Sequence, residues 1–127
     1  MLAEGVQDLD VYKKAFEWQQ KLFELTKSFP KEEMFSLTDQ IRRSSRSLGA
    51  NISEAWAKRG YPAHFVSKLS DADGETIETL HWLETAFSCG YIDEQTKTDA
   101  INEYRHINGM LNKMMANPEA WCKKQRG

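Results

Sequence analysis

Two short motifs in this 127-residue chain have the spacing of metal ligands. Glu78-Thr-Leu-His81 and Glu103-Tyr-Arg-His106 are both Glu-x-x-His. Residues three apart share a face of a helix, and in a bundle core this pattern holds di-iron centres. A second group is basic. Arg42, Arg43, Arg46, Lys58 and Arg59 stand between Ile41 and Arg59 against one acid, Glu54. Arginine forks match phosphate oxygens two at a time, so such a stripe suits a nucleic-acid backbone. A third group is acidic: Asp71, Asp73, Glu75, Glu78 and Glu84, with no lysine or arginine between them. No Gly-rich phosphate loop and no Ser/His or Cys/His arrangement accompanies these groups. Cys89 reads as a small buried or boundary hydrophobe and His64 as a surface residue.

Phase decides what such residues can do, and phase is set by helices. Apolar residues recur every three or four positions almost throughout. Val11, Ala15, Trp18, Leu22, Leu25 and Phe29 predict a first helix over about 8–29, stopped by Pro30. Leu37, Ile41, Ser44, Leu48, Ile52 and Ala55 predict a second over 37–58, opened by Ser36 with Asp39 as its capping partner. Phe65, Leu69, Ala72, Thr76, Leu80, Leu83 and Phe87 predict a third over 62–89, begun by Pro62 and closed by a left-handed Gly90. Ala100 or Ile101, Tyr104, Ile107, Leu111 and Met114 predict a fourth over 93–115, with Asp93 as N-cap and Asn117-Pro118 as the stop. The tail over 117–127 is expected to fray, with Trp121 as its docking residue. Short connections make neighbours antiparallel. The expected fold is all-α, an antiparallel up-down-up-down four-helix bundle in a single domain over 1–127.

On these seams the metal reading fails. With Leu80 and Leu83 inward, Glu78 and His81 face away; with Tyr104 and Ile107 inward, so does His106. The first two seams offer no inward glutamate. The expectation is no catalytic residue, no metal and no cofactor, which sets the di-iron enzyme aside. Surfaces carry more. Leu9, Tyr12, Phe16 and Phe23 form a second apolar stripe, expected to bury against another subunit. Asp71, Glu75, Glu78 and Trp82 point away from the third seam. A basic back and an acidic back suit a head-to-tail contact that closes into a ring. Asn51 is expected to hydrogen-bond across helices, and Glu54 to pair with Lys58 or Arg59.

Composition narrows the class. Net charge is −2, which argues against a chain that only coats nucleic acid. Two cysteines make neither a disulfide framework nor a zinc site, so a reducing cytoplasm is expected. No apolar run is long enough for a membrane span, and the opening Met1-Leu2-Ala3-Glu4-Gly5 lacks signal-peptide features.

The second helix also carries a resemblance. Leu37, Thr38, Gln40, Ile41, Arg42, Arg43, Ser47, Ala50, Asn51, Ile52, Glu54 and Arg59 fall on the pattern G-L-T-x-Q-I-R-R-A-A-x-S-I-P-A-N-I-A-E-G plus a following arginine. That pattern marks the bacterial four-helix-bundle proteins encoded within intervening sequences of 23S ribosomal RNA genes. The accessory variability proteins of diversity-generating retroelements are similar, distant relatives. Asp8-Leu9-Asp10-Val11-Tyr12, Phe29-Pro30-Lys31-Glu32-Glu33, and Gly74, Glu78, Leu83, Ala86 and Gly90-Tyr91-Ile92 extend the likeness over about 5–115. Gly49 replaces a usual proline, Ser36 and Ala55 usual glycines, Leu80 a second glutamate and Arg46 an apolar residue. The resemblance implies a non-catalytic homo-oligomer, a pentameric ring, with Gln40, Asn51, Glu54 and Glu78 as motif residues. In the retroelement relatives a basic ring binds nucleic acid. The functional expectation is an adaptor for RNA or a ribonucleoprotein, with Arg42, Arg43, Arg46, Lys58 and Arg59 on phosphates. The alternative is a scaffold for a protein partner with no nucleic-acid role.

Overall fold

A computed structural model describes residues 4–122. Of the tail expected to fray, residues 117–122 are described, with a 3-10 turn over Pro118–Ala120 and Trp121 38% exposed, and residues 123–127 lie outside the described residues. Four helices make the fold: α1 (Asp10–Thr26), α2 (Leu37–Ala57), α3 (Pro62–Ser88) and α4 (Glu94–Ala116). Short 3-10 turns precede α1, lie between α1 and α2, and follow α4. The described residues contain no strand. None of these helices is long and apolar enough to cross a membrane. Helices α1 and α3 each pack against both α2 and α4. All four enclose one core.

Helix α1 is shorter than its apolar period at both ends. Asp8 sits in a preceding 3-10 turn, where its carboxylate accepts the backbone N–H groups of Glu4 and Gly5. At the other end the chain tightens into i→i+3 bonds, from Ser28 N–H to Leu25 and from Phe29 N–H to Thr26, before Pro30. Phe29 stays in the core from outside the helix.

Helix α2 begins after Ser36, but the expected cap is reversed. The Ser36 hydroxyl donates to Glu33 Oε1 at 2.6 Å, and that carboxylate faces the Leu37 N–H at 3.5 Å. Glu33 caps the helix in place of the Ser36–Asp39 pair. Its second oxygen accepts the Tyr91 hydroxyl at 2.8 Å, tying this connection to the one between α3 and α4. Asp93 caps α4 as expected, accepting the Thr96 N–H at 2.7 Å. Gly90 takes φ +79°, and Tyr91 N–H closes the turn on Ala86.

The seams of α2 and α4 are buried as predicted. Those of α1 and α3 differ in a common way. Thr26 is buried where Leu25 was expected, and Thr79 and Ala86 where Leu80 and Phe87 were. The core of α3 keeps a strict 4-3-4-3-4-3 step from Phe65 to Ala86 instead of skipping to larger residues. Buried threonine is tolerated because its hydroxyl is satisfied inside the helix: Thr26 donates to Leu22 O, Thr76 to Ala72 O and Thr79 to Glu75 O. Thr79 also meets Ser44 of α2 at 2.8 Å.

Candidate nucleic-acid interface

Arg42, Arg43 and Arg46 lie on the outer side of the first half of α2, opposite the Ile41–Ser44–Leu48 seam. They line an open hollow of about 460 Å³ together with Met34, Asp39 and Ser47. Each guanidinium is held differently. Arg42 Nε donates to Thr26 Oγ1 at 2.9 Å, and its plane lies 4.7 Å from the Phe23 ring centroid. Arg46 lies over the same ring at 5.4 Å and is exposed. Arg43 leans the other way, toward α3, with Nη2 3.9 Å from Glu78 Oε1 and 3.4 Å from Gln40 Oε1. The set is pre-oriented but wet, so its own ion pair contributes little to stability.

Phe23 was expected to face another subunit. Within the chain it forms the platform under Arg42 and Arg46, with the Lys27 ammonium 4.8 Å from its centroid. The stripe it belonged to breaks into three. Leu9, at 4% exposure, is a core residue, because the chain enters α1 over the bundle end. Tyr12, half-buried against the core, stacks on Phe16 at 6.1 Å, and Phe16 is 47% exposed.

The acidic back is not remote from the basic one. Helices α2 and α3 are neighbours, so the two faces meet along one groove. Glu78 sits between Arg43 and the Trp82 indole, whose Nε1 donates to it at 3.3 Å. Glu75 is half-buried beside it. Burial, and then the Glu78 carboxylate, push the Glu75 carboxyl above the usual range, with Arg43 opposing. Asp71 approaches Lys68 at 3.9 Å.

Lys58 and Arg59 do not join the arginine hollow. They stand at the far end of α2, roughly 20 Å along the axis from Arg46 at the usual rise. Glu54 pairs with neither of them; it reaches Lys68 of α3 at 2.8 Å, which holds that lysine's pKa above its ordinary value. Asn51 does not bridge helices: its amide donates to Ser47 O, four residues back on the same helix. The two Glu-x-x-His motifs do not converge. His81 meets the Trp82 ring edge-on, His106 is exposed, and Glu103 pairs with Lys14 at 3.1 Å. Among the described residues no three metal-ligating side chains cluster. Cys89, expected to be buried or at a boundary, is exposed.

Sequence reasoning passed over Met34 and Phe35, which are 52% and 92% exposed beside the start of α2. The signal was present: two large apolar residues between Pro30 and Ser36 belong to no helical seam.

The family model for the 23S rRNA-intervening sequence protein matches residues 7–113. The chain belongs to that family. A crystal structure described as a protein of unknown function from the S23 ribosomal protein family of Bacteroides thetaiotaomicron is 33% identical to this intervening-sequence protein. The match covers 84% of this chain and 95% of that one, with a TM-score of 0.76. A search of curated proteins found no match. Membership of the intervening-sequence family includes the whole of α2, and so the arginine hollow and the Arg43–Glu78 contact.

Proposed function

We propose that this chain is a non-enzymatic RNA-binding adaptor of the cytoplasm, built as one up-down-up-down antiparallel bundle and assembled into a homo-oligomeric ring, a pentamer. The observation that carries the RNA reading is the trio Arg42, Arg43 and Arg46 around one open hollow. Three forks on one helix face can each take a phosphate, and Arg42 and Arg46 are pre-aimed by Phe23. The exposed Phe35 and Met34 at its edge add apolar surface that suits unpaired bases. The overall charge of −2 keeps this a local, salt-sensitive site. Short connections support the antiparallel order, and the surface pair Tyr12–Phe16 supports self-assembly.

The test is fluorescence anisotropy with a structured ribosomal RNA fragment across a salt series. R43Q/R46Q is the variant, since neither residue anchors the fold. Binding weakens, and the log–log salt slope shrinks by about one per lost phosphate contact. Unchanged binding by a still-assembled variant rules the RNA reading out.

One observation favours a second reading. Arg42 is tied to Thr26 and Arg43 faces Glu78, so two of the three arginines already have partners within the chain. In that case the protein is a scaffold for a protein partner, and RNA binding is absent at every salt concentration.

A further inference from the structure

A second hollow, of about 560 Å³, opens at the other end of α2. It is framed by the start of α1, the end of α2, the last turns of α4 and the 3-10 turn after α4. Its size is ordinary for a small-molecule site, which runs from about 300 to 1,000 Å³. Trp56, Trp121, Met110 and Met114 supply apolar walls. Thioethers and indoles are soft, polarisable groups that pack well against flat rings.

The charged groups at this hollow are not equivalent. Arg59 is fixed twice. Its guanidinium lies 3.5 Å from the Trp56 ring centroid, and its Nε donates to Trp56 O at 2.9 Å. Its two terminal nitrogens donate to none of the described residues. Lys113 likewise has no ion pair among them. Asp8 is already engaged, accepting the Glu4 and Gly5 N–H groups. Asp10 lies in the exposed first turn of α1, where a carboxylate suits the helix N-terminus. An oriented guanidinium fork and an ammonium thus border a largely apolar cavity and form no ion pair among the described residues, although Asp8 and Asp10 line the same hollow.

We infer that this hollow binds a planar aromatic anion, its ring between the tryptophan and methionine walls and its carboxylate on Arg59 and Lys113. The site is separate from the arginine hollow and does not depend on RNA binding. A fork stacked on an indole loses little freedom on binding, which favours a flat carboxylate there over a flexible one.

The test uses the 127-residue chain and two probes of the same shape, 2-naphthoate and neutral 2-naphthamide. Calorimetry should give saturable binding of one 2-naphthoate per chain, at least ten-fold tighter than 2-naphthamide. In an indole N–H NMR titration, the Trp56 and Trp121 signals move and that of Trp82 does not. R59Q/K113Q removes the ten-fold preference, while R43Q/R46Q keeps it. Equal affinity for the two probes in the unaltered protein overturns the inference without any variant. So does a titration that moves Trp82 instead, or the absence of saturation by millimolar 2-naphthoate.

Discussion

At the scale of single residues, the core holds one conflict. Tyr104 is fully buried, its ring edge-on to Trp18 at 6.3 Å, and its hydroxyl has no hydrogen-bond partner among the described residues. Burial pushes its pKa well above the usual phenol range. An unsatisfied buried hydroxyl costs on the order of 1–3 kcal/mol. Tyr104→Phe keeps the ring and removes that cost. Thermal unfolding should show stabilisation of about 1 kcal/mol, a rise in Tm of about 4 °C. A lower Tm would mean that the hydroxyl has a partner, such as an ordered water. The Glu33–Tyr91 contact makes a different prediction. Its hydrogen bond from the phenol to the carboxylate pushes the Tyr91 pKa up to about 12, while Ser36 and Tyr91 hold Glu33 below its ordinary value. A raised phenol pKa stabilises the fold fully below the unfolded value of about 10 and is lost as pH rises toward the folded one. The depressed Glu33 works in the opposite direction, adding stability above the ordinary carboxylate range that is lost as pH falls. Urea unfolding from pH 8 to 12 should therefore show a shallower alkaline decline for Tyr91→Phe. Some decline remains, because Tyr104 also titrates late. Identical slopes for the two proteins would remove the contact from the account.

At the scale of elements, the helices were legible because punctuation and period agreed. Pro62, Gly90 and Asp93 each do in the structure what their chemistry implies at a helix end. Phase was less legible in α1 and α3, where polarity misled. Thr26 and Thr79 look like surface residues, yet each donates its hydroxyl to the carbonyl four residues back and then packs as a small apolar group. A seam drawn through Leu80 departs from the true one for that reason, and one drawn through Phe87 departs because the small Ala86 holds the core position. Glu54 was misplaced for a related reason: sequence shows partners one turn away, and the neighbouring helix that brings Lys68 is invisible in it. The Ser44–Thr79 contact lets this reasoning be measured. Thr79→Val leaves the Ser44 hydroxyl with only a long 3.4 Å contact to Ile41 O, and should cost about 1 kcal/mol. Adding Ser44→Ala removes the orphan, so the double variant should recover most of that loss. Strict additivity in the double-mutant cycle would show that the two hydroxyls are energetically independent.

At the scale of the whole molecule, the question is which surface remains for another copy. Net charge patterning alone suggested that basic and acidic backs meet between subunits. The fold puts α2 beside α3, so Arg43 and Glu78 already face each other within one chain, and that pairing weakens the case for charge as the glue. Phe23 is half-buried and already carries three cations near its ring. What is left of the apolar stripe is the stacked pair Tyr12 and Phe16 on the outer side of α1. The exposed Phe16, stacked on a half-buried Tyr12, favours burial against a second surface, and it does so independently of salt. Phe16→Asp is the discriminating change. Phe16 lies outside the core, so the isolated chain should keep its helicity, while the buried charge would oppose any contact made there. Light scattering coupled to size exclusion should report a ring for the unaltered protein and a smaller species for Phe16→Asp at the same concentration. Raising the salt should not dissociate the unaltered ring, because an apolar contact has no ion pairs to screen. An oligomer that survives Phe16→Asp but dissociates in high salt would return the interface to the charged faces of α2 and α3.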